Sequence, residues 1–379
     1  MARIRFLTWD GGGNLPPALA IALELNDRGH EVRFAGYDRQ RDEIRRAGFA
    51  FDRLPRMAAA DWTRAEEGMP RRIAMMQTAF AARAQAPDVT DVLAERPADL
   101  VIVDCLMHVA LAAAREIAPT VVLIHSVPGA FQAGGPPLQP INAALEAAGF
   151  PAIDSYIEEW SRSASIVATV PELDPFAAEA PPSFRYIGPV IRQSPDMAPL
   201  PWPAEDPRPL VLVSFSTTSY YGDQSGLMQR ALAALAELEV RVLLTTGPAV
   251  EPSRIRPPAN AFVTRFAPHQ AVLPGASLVV THAGHGTVTA ALAAGVPLLA
   301  LPNQIADQPF LAGRIAELGA GLALTADAPA TEITAAAERL LAEPGFRGQA
   351  RRLQAAIERT RGVAAAGDEL EAMLRVPAV

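Results

Sequence analysis

The sequence contains a single cysteine, Cys105, so no disulfide can form within the chain. It lacks the run of about 18 uninterrupted apolar residues that a membrane-spanning helix requires. Long basic runs are also missing, and the formal net charge of -8 would repel a phosphate backbone from most of the surface. Met1 to Trp9 alternates as an opening strand does and has no apolar signal core. These absences predict a cytoplasmic protein with no transmembrane segment and no nucleic-acid partner.

What the sequence does contain is an alternation of apolar, strand-like runs with helical stretches over 379 residues. This pattern is typical of parallel sheets covered by helices. Residues 195–209 carry six prolines, which neither continue a helix nor join a central strand. We therefore predict an α/β protein with two doubly wound, Rossmann-like domains facing each other across a cleft. The predicted parts are an N-terminal domain at 1–194, a linker at 195–209, a C-terminal domain at 210–350, and a helical segment at 351–379 that could pack back on the first domain.

The most informative pattern is a strand, a glycine turn and a helix between residues 278 and 294. The N–H groups at the start of such a helix converge on one point, and the helix dipole adds partial positive charge there, so a diphosphate is the natural ligand. Gly284 and Gly286 would let the backbone approach the ligand closely. His282 and Thr287 can each donate a hydrogen bond to a phosphate oxygen.

The next strand leads to a polar loop that holds Asp307 and Gln308. A carboxylate beside an amide can accept from and donate to vicinal hydroxyl groups. A hexose presents such hydroxyls and a nicotinamide does not. The pattern therefore predicts a sugar attached to the diphosphate.

Three segments, Thr281-His-Ala-Gly-His-Gly-Thr-Val, Ala294-Gly-Val-Pro and Asp307-Gln308, resemble the donor signature of the family 1 glycosyltransferases. They closely resemble the bacterial branch that modifies macrolides, glycopeptides, enediynes and aromatic polyketides. The segment from Gly13-Asn-Leu-Pro-Pro to Arg28-Gly-His-Glu-Val resembles the first helix of the family, so the likeness covers nearly the whole chain. It implies a GT-B fold, an acceptor bound mainly by the N-terminal domain, a donor bound mainly by the C-terminal domain, inversion at the sugar carbon, and no metal ion or other cofactor.

The resemblance also implies roles for single positions of the donor site. Phe266 matches the aromatic residue that stacks on the base, and His269 matches a residue near the ribose. Ser216 and Thr217 match a loop that contacts the diphosphate. Ala290 stands where many relatives with uridine donors carry a glutamate that binds the ribose hydroxyls. Both dTDP and UDP stay open as donors, and Ala290 favours dTDP slightly.

The residue that removes the acceptor proton is not evident from the sequence. The family usually places a histidine at the start of the first helix, but here the position is Asn14, which cannot take up a proton. Asp10 at the end of the first strand is the candidate we favour, and Asp104 matches the aspartate that orients the family histidine. His108 and His125, which also follow strand ends, are further candidates.

The acceptor site is expected to be apolar and fairly large. Methionine and aromatic side chains suit an adaptable pocket, although packing against the first domain is the more common role for most of those between strands. A glycine- and proline-rich loop at 126–135 also follows a strand end, where such loops usually shape the ligand site. The residues that we predict to contact the acceptor are Trp62, Met76, His108, His125 and Phe131.

Together these features predict an inverting glycosyltransferase that moves a hexose, or a deoxysugar, from dTDP or UDP to an apolar small molecule such as a polyketide. Asn14 leaves a second possibility, a non-catalytic homologue that binds a nucleotide sugar or activates a partner. An epimerase of nucleotide sugars shares the architecture, but it needs several carboxylates and histidines around the sugar that the sequence does not display. A dinucleotide oxidoreductase is disfavoured because Asp10-Gly-Gly-Gly-Asn is not the spaced glycine fingerprint.

Overall fold

The structure of the chain is a computed structural model. It describes residues 1–9, 11–58, 79–191, 200–203, 205–215, 223–304 and 307–375. The predicted site residues that lie outside these ranges are Asp10, Trp62, Met76, Ser216 and Thr217. The chain divides into two compact units, the first comprising Met1–Val190 with Arg361–Val379 and the second comprising Ile191–Thr360.

The first unit contains a seven-stranded, wholly parallel sheet in the order β3-β2-β1-β4-β5-β6-β7. All five residues of its fourth strand are buried, as expected of a parallel sheet that is covered on both faces. The strands are β1 Arg3–Thr8, β2 Glu31–Gly36, β3 Ala50–Arg53, β4 Leu100–Asp104, β5 Thr120–Ile124, β6 Ala164–Val167 and β7 Phe184–Tyr186.

Helices cover both faces of this sheet. They are α1 Leu15–Asp27, α2 Arg41–Arg46, α3 Pro55–Ala58, α4 Gln85–Glu95, α5 His108–Arg115, α6 Pro128–Gly134, α7 Leu138–Ala147, α8 Tyr156–Ser161 and the C-terminal α15 Val363–Leu374. The last of these packs on α1 through Ala366 and Leu370, which belong to the same apolar cluster as Leu19 and Leu25. Arg28, just after α1, pairs with Asp368 at 2.8 Å. The C-terminal helix is therefore part of the core of the first unit.

The second unit contains a six-stranded parallel sheet in the order β10-β9-β8-β11-β12-β13. Its strands are β8 Leu210–Ser214, β9 Arg241–Thr245, β10 Ala261–Thr264, β11 Ala276–Thr281, β12 Leu298–Ala300 and β13 Gly321–Ala323. Its helices are α9 Ser225–Ala236, α10 His269–Val272, α11 His285–Ala293, α12 Gln308–Glu317, α13 Ala330–Ala342 and α14 Pro344–Arg359. The two sheets confirm the prediction of two doubly wound α/β domains.

The unit boundaries differ from the predicted ones at both ends of the second domain. The first boundary lies between Val190 and Ile191, a few residues before the predicted break at 194. The second lies between Thr360 and Arg361, ten residues after the predicted break at 350. The reason for the later break is that α14 runs through residue 350 without interruption. Only the segment after this helix belongs to the first unit.

Among the described residues, no helix is both long and apolar enough to cross a membrane.

Candidate functional site

Two loops of the second unit come directly after β11 and β12, which are neighbouring parallel strands. Thr281, the last residue of β11, is in register with Ala300, the last residue of β12. The turn at 282–284 and the segment at 301–304 therefore start at the same edge of the sheet. Ligands of doubly wound folds bind at this carboxyl edge, and it is here that the structure places the predicted donor residues.

The turn between β11 and α11 has a strained backbone and an uncapped helix start. Ala283 has φ of 62°, and it is the one described residue other than glycine with a positive φ. A non-glycine residue in this region costs about 1–2 kcal/mol. The N-cap of α11 is Gly284, which provides no capping side chain, and the first turn of the helix has no acidic residue. This helix N-terminus therefore keeps the partial positive charge that attracts an anion.

His282 lies in this turn with 8% of its surface exposed. Burial lowers the pKa of His282 to about 4, so the imidazole is neutral at pH 7. A Cβ atom at Gly284 would lie 2.6 Å from Nε2 of His282, so only glycine at 284 leaves the ring in this place. Thr287 is partly buried and Gly286 is exposed at the start of the helix. The four predicted diphosphate residues thus occupy one strand–turn–helix junction.

Gln308 begins α12 and is completely buried. Its Oε1 accepts a hydrogen bond from the backbone N–H of Asn303 at 3.0 Å and another from Nδ2 of Asn303 at 3.2 Å. Its Nε2 has no hydrogen-bond partner among the described residues. An amide donor that is buried without an acceptor is costly, so it indicates a place for a ligand oxygen. Asp307, the N-cap of the same helix, is partly buried beside it.

Phe266 and His269 follow β10 in the second unit. The Phe266 side chain is 73% exposed, so it is not a core residue. His269 begins the short helix α10 and is partly buried, and burial lowers the pKa of its imidazole. An exposed aromatic ring is available for stacking on a nucleobase, which agrees with the role that the resemblance implies for Phe266.

The corresponding turn of the first unit joins β1 to α1, and its centre is Asn14. This side chain is 2% exposed. Its Nδ2 donates to Oδ2 of Asp104 at 2.8 Å and to the carbonyl of Trp9 at 2.9 Å, and its Oδ1 accepts from the N–H of Gly11 at 3.1 Å. Gly12 has φ of 78°, a conformation that favours glycine. Asn14 is therefore a structural centre of the turn.

Three groups donate hydrogen bonds to the carboxylate of Asp104, which lies at the end of β4. Nε1 of Trp9 and the N–H of Leu106 each donate to Oδ1 at 3.0 Å, and Asn14 donates to Oδ2. Nε2 of His125 lies 3.3 Å from Oδ2, close enough for an ion pair although it does not have hydrogen-bond geometry. Burial would raise the pKa of Asp104, but His125 and these donors lower it, so the carboxylate stays charged.

The pairing of Asp104 with His125 is the feature that sequence reasoning missed. From the sequence, Asp104 and His125 are two separate candidates for the base. Each lies at the end of one of two consecutive strands, β4 and β5. β4 and β5 are neighbours in the sheet, with Asp104 in register with Leu123. Two polar residues at the ends of consecutive predicted strands were the available signal, since parallel strands end at a common edge.

The other predicted acceptor residues that the structure describes, His108 and Phe131, differ in how deeply they are buried. His108 is completely buried, packs on Tyr156 with ring centroids 5.2 Å apart, and has no hydrogen-bond partner at either nitrogen among the described residues. Burial lowers its pKa to about 3, so the ring is neutral. The first turn of α5 points this side chain into the core, and this position gives no support to an acceptor contact. Phe131 is only partly buried, and it packs edge-on against Tyr156 and Trp160.

Two family profiles match the chain, one in each half. Residues 13–157 match the glycosyl transferase 4-like domain. Residues 229–361 match the C-terminal domain of erythromycin biosynthesis protein CIII-like enzymes. The second match contains the glycine turn, Asp307 and Gln308.

Similar proteins are glycosyltransferases. The chain is 29% identical to 4'-demethylrebeccamycin synthase of Lentzea aerocolonigenes, covering 93% of this chain and 95% of that protein. It is 38% identical to the TDP-daunosamine transferase of Streptomyces peucetius over 46% of this chain and 41% of that protein. The crystal structure of the calicheamicin glycosyltransferase CalG4 superimposes with a TM-score of 0.79 and 25% identity, covering 100% of both chains. The chain is a glycosyltransferase of GT-B fold, and these matches support a family 1, macrolide-type enzyme.

Proposed function

We propose that this glycosyltransferase moves a hexose or deoxyhexose, with inversion at the sugar carbon, from a dTDP-sugar to an apolar small molecule such as a polyketide. The observation that carries the donor part of this proposal is the N-terminus of α11. It has a glycine N-cap, no acidic residue in its first turn, and the neutral His282 beside it. A diphosphate accepts hydrogen bonds from these groups and is stabilised by the helix dipole.

The sugar would lie toward the start of α12. Nε2 of Gln308 is buried without a partner among the described residues, and a sugar hydroxyl would supply the missing acceptor. Asp307 precedes it and can accept from a neighbouring hydroxyl. Because β11 and β12 end side by side, the diphosphate and the sugar attached to it would contact adjacent loops.

The base and ribose would lie near Phe266 and His269. The exposed Phe266 ring would stack on the base, a contact worth roughly 1–3 kcal/mol. Ala290 in α11 has no polar side chain for a ribose hydroxyl, which favours thymidine over uridine. The daunosamine transferase named above uses a TDP-sugar by its name.

The acceptor would bind at the carboxyl edge of the first sheet. There, Phe131 in α6 has a partly buried face and packs on Tyr156 and Trp160, which extends the apolar surface. His125 follows the adjacent strand end and is partly exposed. These groups suit a ring system that carries a hydroxyl. We propose that no metal ion takes part, since the helix N-terminus and hydrogen-bond donors supply the charge that a diphosphate leaving group requires.

Thermal unfolding of the enzyme with dTDP, UDP or GDP, in buffer with and without EDTA, tests the donor site. A ligand at one hundred times its Kd stabilises the folded state by roughly 2.7 kcal/mol. We expect the unfolding temperature to rise most with dTDP, less with UDP and least with GDP. Phe266→Ala should reduce the rise, while Phe262→Ala, which removes the other exposed phenylalanine, should not. No rise with any nucleotide would refute the proposed donor site, and a rise that vanishes in EDTA would refute metal independence.

A further inference from the structure

The buried Asp104 and the partly buried His125 form a pair at the carboxyl edge of the first sheet. We propose that His125, held by Asp104, is the general base that removes the proton from the acceptor hydroxyl. This inference rests on the proposed function, because it concerns how the acceptor of that reaction is activated. It assigns the base to the end of β5, whereas the resemblance implies a position at the start of α1, where this chain has Asn14.

The pair brings a charged carboxylate into contact with an imidazole that is partly exposed, at ion-pair distance and without hydrogen-bond geometry. Nε2 of His125 lies 3.3 Å from Oδ2 of Asp104, and the carboxylate is only 4% exposed. The imidazole itself is 16% exposed, so part of the ring reaches solvent at the edge where ligands bind. When a carboxylate holds one ring nitrogen, the neutral ring takes the tautomer in which the other nitrogen accepts a proton.

Asp10 lies outside the described residues, and the other described candidates at this edge are less suited to proton transfer. Asn14 has no titratable group, and its amide is committed to Asp104, Trp9 and Gly11. Asp104 is charged, but its two oxygens already accept from Trp9, Leu106 and Asn14. Among the described residues, His125 is the partly exposed titratable group of this cluster. The arrangement is that of an aspartate–histidine dyad whose histidine comes from a neighbouring strand end.

The charges around His125 determine when the ring can act as a base. Burial lowers its pKa, but the Asp104 carboxylate and Cys105 raise it, and the net result is a pKa well above the ordinary value of 6.5. Cys105 is completely buried, and burial raises the pKa of its thiol. Farther out, His108 interacts with Asp104, and Tyr156 with Cys105. The charged form of the ring is therefore favoured, and the base form increases as the pH rises.

In the proposed step the acceptor oxygen bonds to the anomeric carbon while its proton moves to the neutral ring of His125. The bond between the anomeric carbon and the diphosphate oxygen breaks, and the nucleotide diphosphate leaves with the electron pair. His125 then releases the proton to solvent. The Asp104 carboxylate stabilises the imidazolium that forms and does not itself take the proton.

Nuclear magnetic resonance of the imidazole signals tests the dyad without any turnover. The chain has six histidines, and comparison with His125→Gln assigns the signal of interest. We expect His125 to titrate above 6.5 in the parent, and its pKa to fall in Asp104→Asn, because removing the negative charge leaves burial as the main influence. An unchanged pKa in a folded Asp104→Asn variant would overturn the pairing.

The kinetic test uses dTDP-glucose with two probe acceptors that share a ring system, 2-naphthol and 2-naphthylmethanol. General-base catalysis contributes typically 10²–10⁴-fold, so His125→Gln should lower kcat about 100-fold or more with the alcohol and less with the more acidic phenol. The parent should gain kcat/KM as the pH rises through the His125 pKa. Asp104→Asn should shift this rise to lower pH, and His125→Gln should abolish it.

His30→Gln provides the matched control, because His30 pairs with Glu371 of the C-terminal helix. It should keep both the pH profile and the preference between the two acceptors. An equal loss with both acceptors in His125→Gln, or an unchanged pH profile, would overturn the role of His125. If no nucleotide stabilises the parent, the proposed function fails. If dTDP stabilises the parent and His125→Gln equally and only transfer is lost, the dyad is supported.

Discussion

The turn between β1 and α1 and the turn between β11 and α11 are built alike but use their polar groups differently. Each joins a buried parallel strand to a helix at the carboxyl edge of its sheet. In the first turn, the Asn14 side chain bonds to Gly11, Trp9 and Asp104, so the polar groups satisfy one another. In the second turn, the N-cap is Gly284, which offers no side chain.

This difference explains how one supersecondary unit serves two purposes. A turn closed by a buried amide is rigid and positions its neighbours, here Asp104 and through it His125. Neither helix N-terminus has a side-chain cap, but the first turn of α1 contains Pro16 and Pro17, which have no N–H to donate. The first turn of α11 has no proline, so its N–H groups are left to a ligand. The strained Ala283 in the second turn agrees with this reading, because backbone strain is found more often at ligand sites than in purely structural turns. Substitutions in the two turns should accordingly affect stability in one and nucleotide affinity in the other.

The largest effect is expected from Asn14→Ala in the first turn. The substitution removes partners from the N–H of Gly11 and from Asp104, and buried polar groups that lose their partners cost roughly 1–3 kcal/mol each. We expect the free energy of unfolding to fall by about 3 kcal/mol, measured by urea denaturation. Asn26→Ala in the exposed last turn of the same helix is the control and should change it by less than about 0.5 kcal/mol.

The stabilisation of Asn14→Ala by dTDP should match that of the parent, since Asn14 lies in the first unit and the donor residues lie in the second. Wild-type stability in this variant would contradict the structural role of Asn14. Loss of nucleotide binding in a folded variant would contradict the division of roles between the two turns.

An intermediate effect is expected from Gly284→Ala in the second turn. The added Cβ would lie 2.6 Å from Nε2 of His282, so the ring must move away from its position at the helix N-terminus. We expect the affinity for dTDP to fall about tenfold or more, equivalent to about 1.4 kcal/mol, as measured by calorimetric titration. Gly275→Ala, where a Cβ has nothing within 4 Å, is the matched control. Equal affinities in the two variants would mean that the position of His282 does not matter for binding.

Local sequence patterns predicted the donor turn closely, but they could not predict contacts between distant segments. The predicted strand before the turn ended at Thr281, and β11 ends there, because the apolar run and the glycines that follow it are local signals. The pairing of Asp104 with His125 depends on the order of strands in the sheet, which a local pattern does not specify. The sequence shows that Asn14 cannot take up a proton. It does not show the hydrogen bonds of Asn14 to Trp9 and Asp104, because these depend on the folded turn.

The burial of His108 shows the same limit in a helix. The sequence places it shortly after a strand end, a position from which it could face a ligand or the core. Its actual direction follows from where α5 begins and from packing against Tyr156, which lies far along the chain. The exposure of Phe266 likewise does not follow from the sequence, since a phenylalanine near a strand can face the core or solvent. Tertiary packing determines both outcomes.

The smallest effect is expected from Ala283→Gly, which removes the strain of the second turn. Glycine adopts a φ of 62° without the steric cost of a Cβ, but the change also removes the completely buried methyl group of Ala283, and glycine loses more conformational entropy on folding. The net gain should therefore be less than about 1 kcal/mol. Ala291→Gly in the buried interior of α11 is the control with the opposite sign and should cost about 1 kcal/mol or more. Unfolding temperatures measure both variants. A clear loss of stability in Ala283→Gly would show that the buried methyl group contributes more to stability than the positive φ costs, and the second turn would then resemble the first in being stabilised by its own contacts.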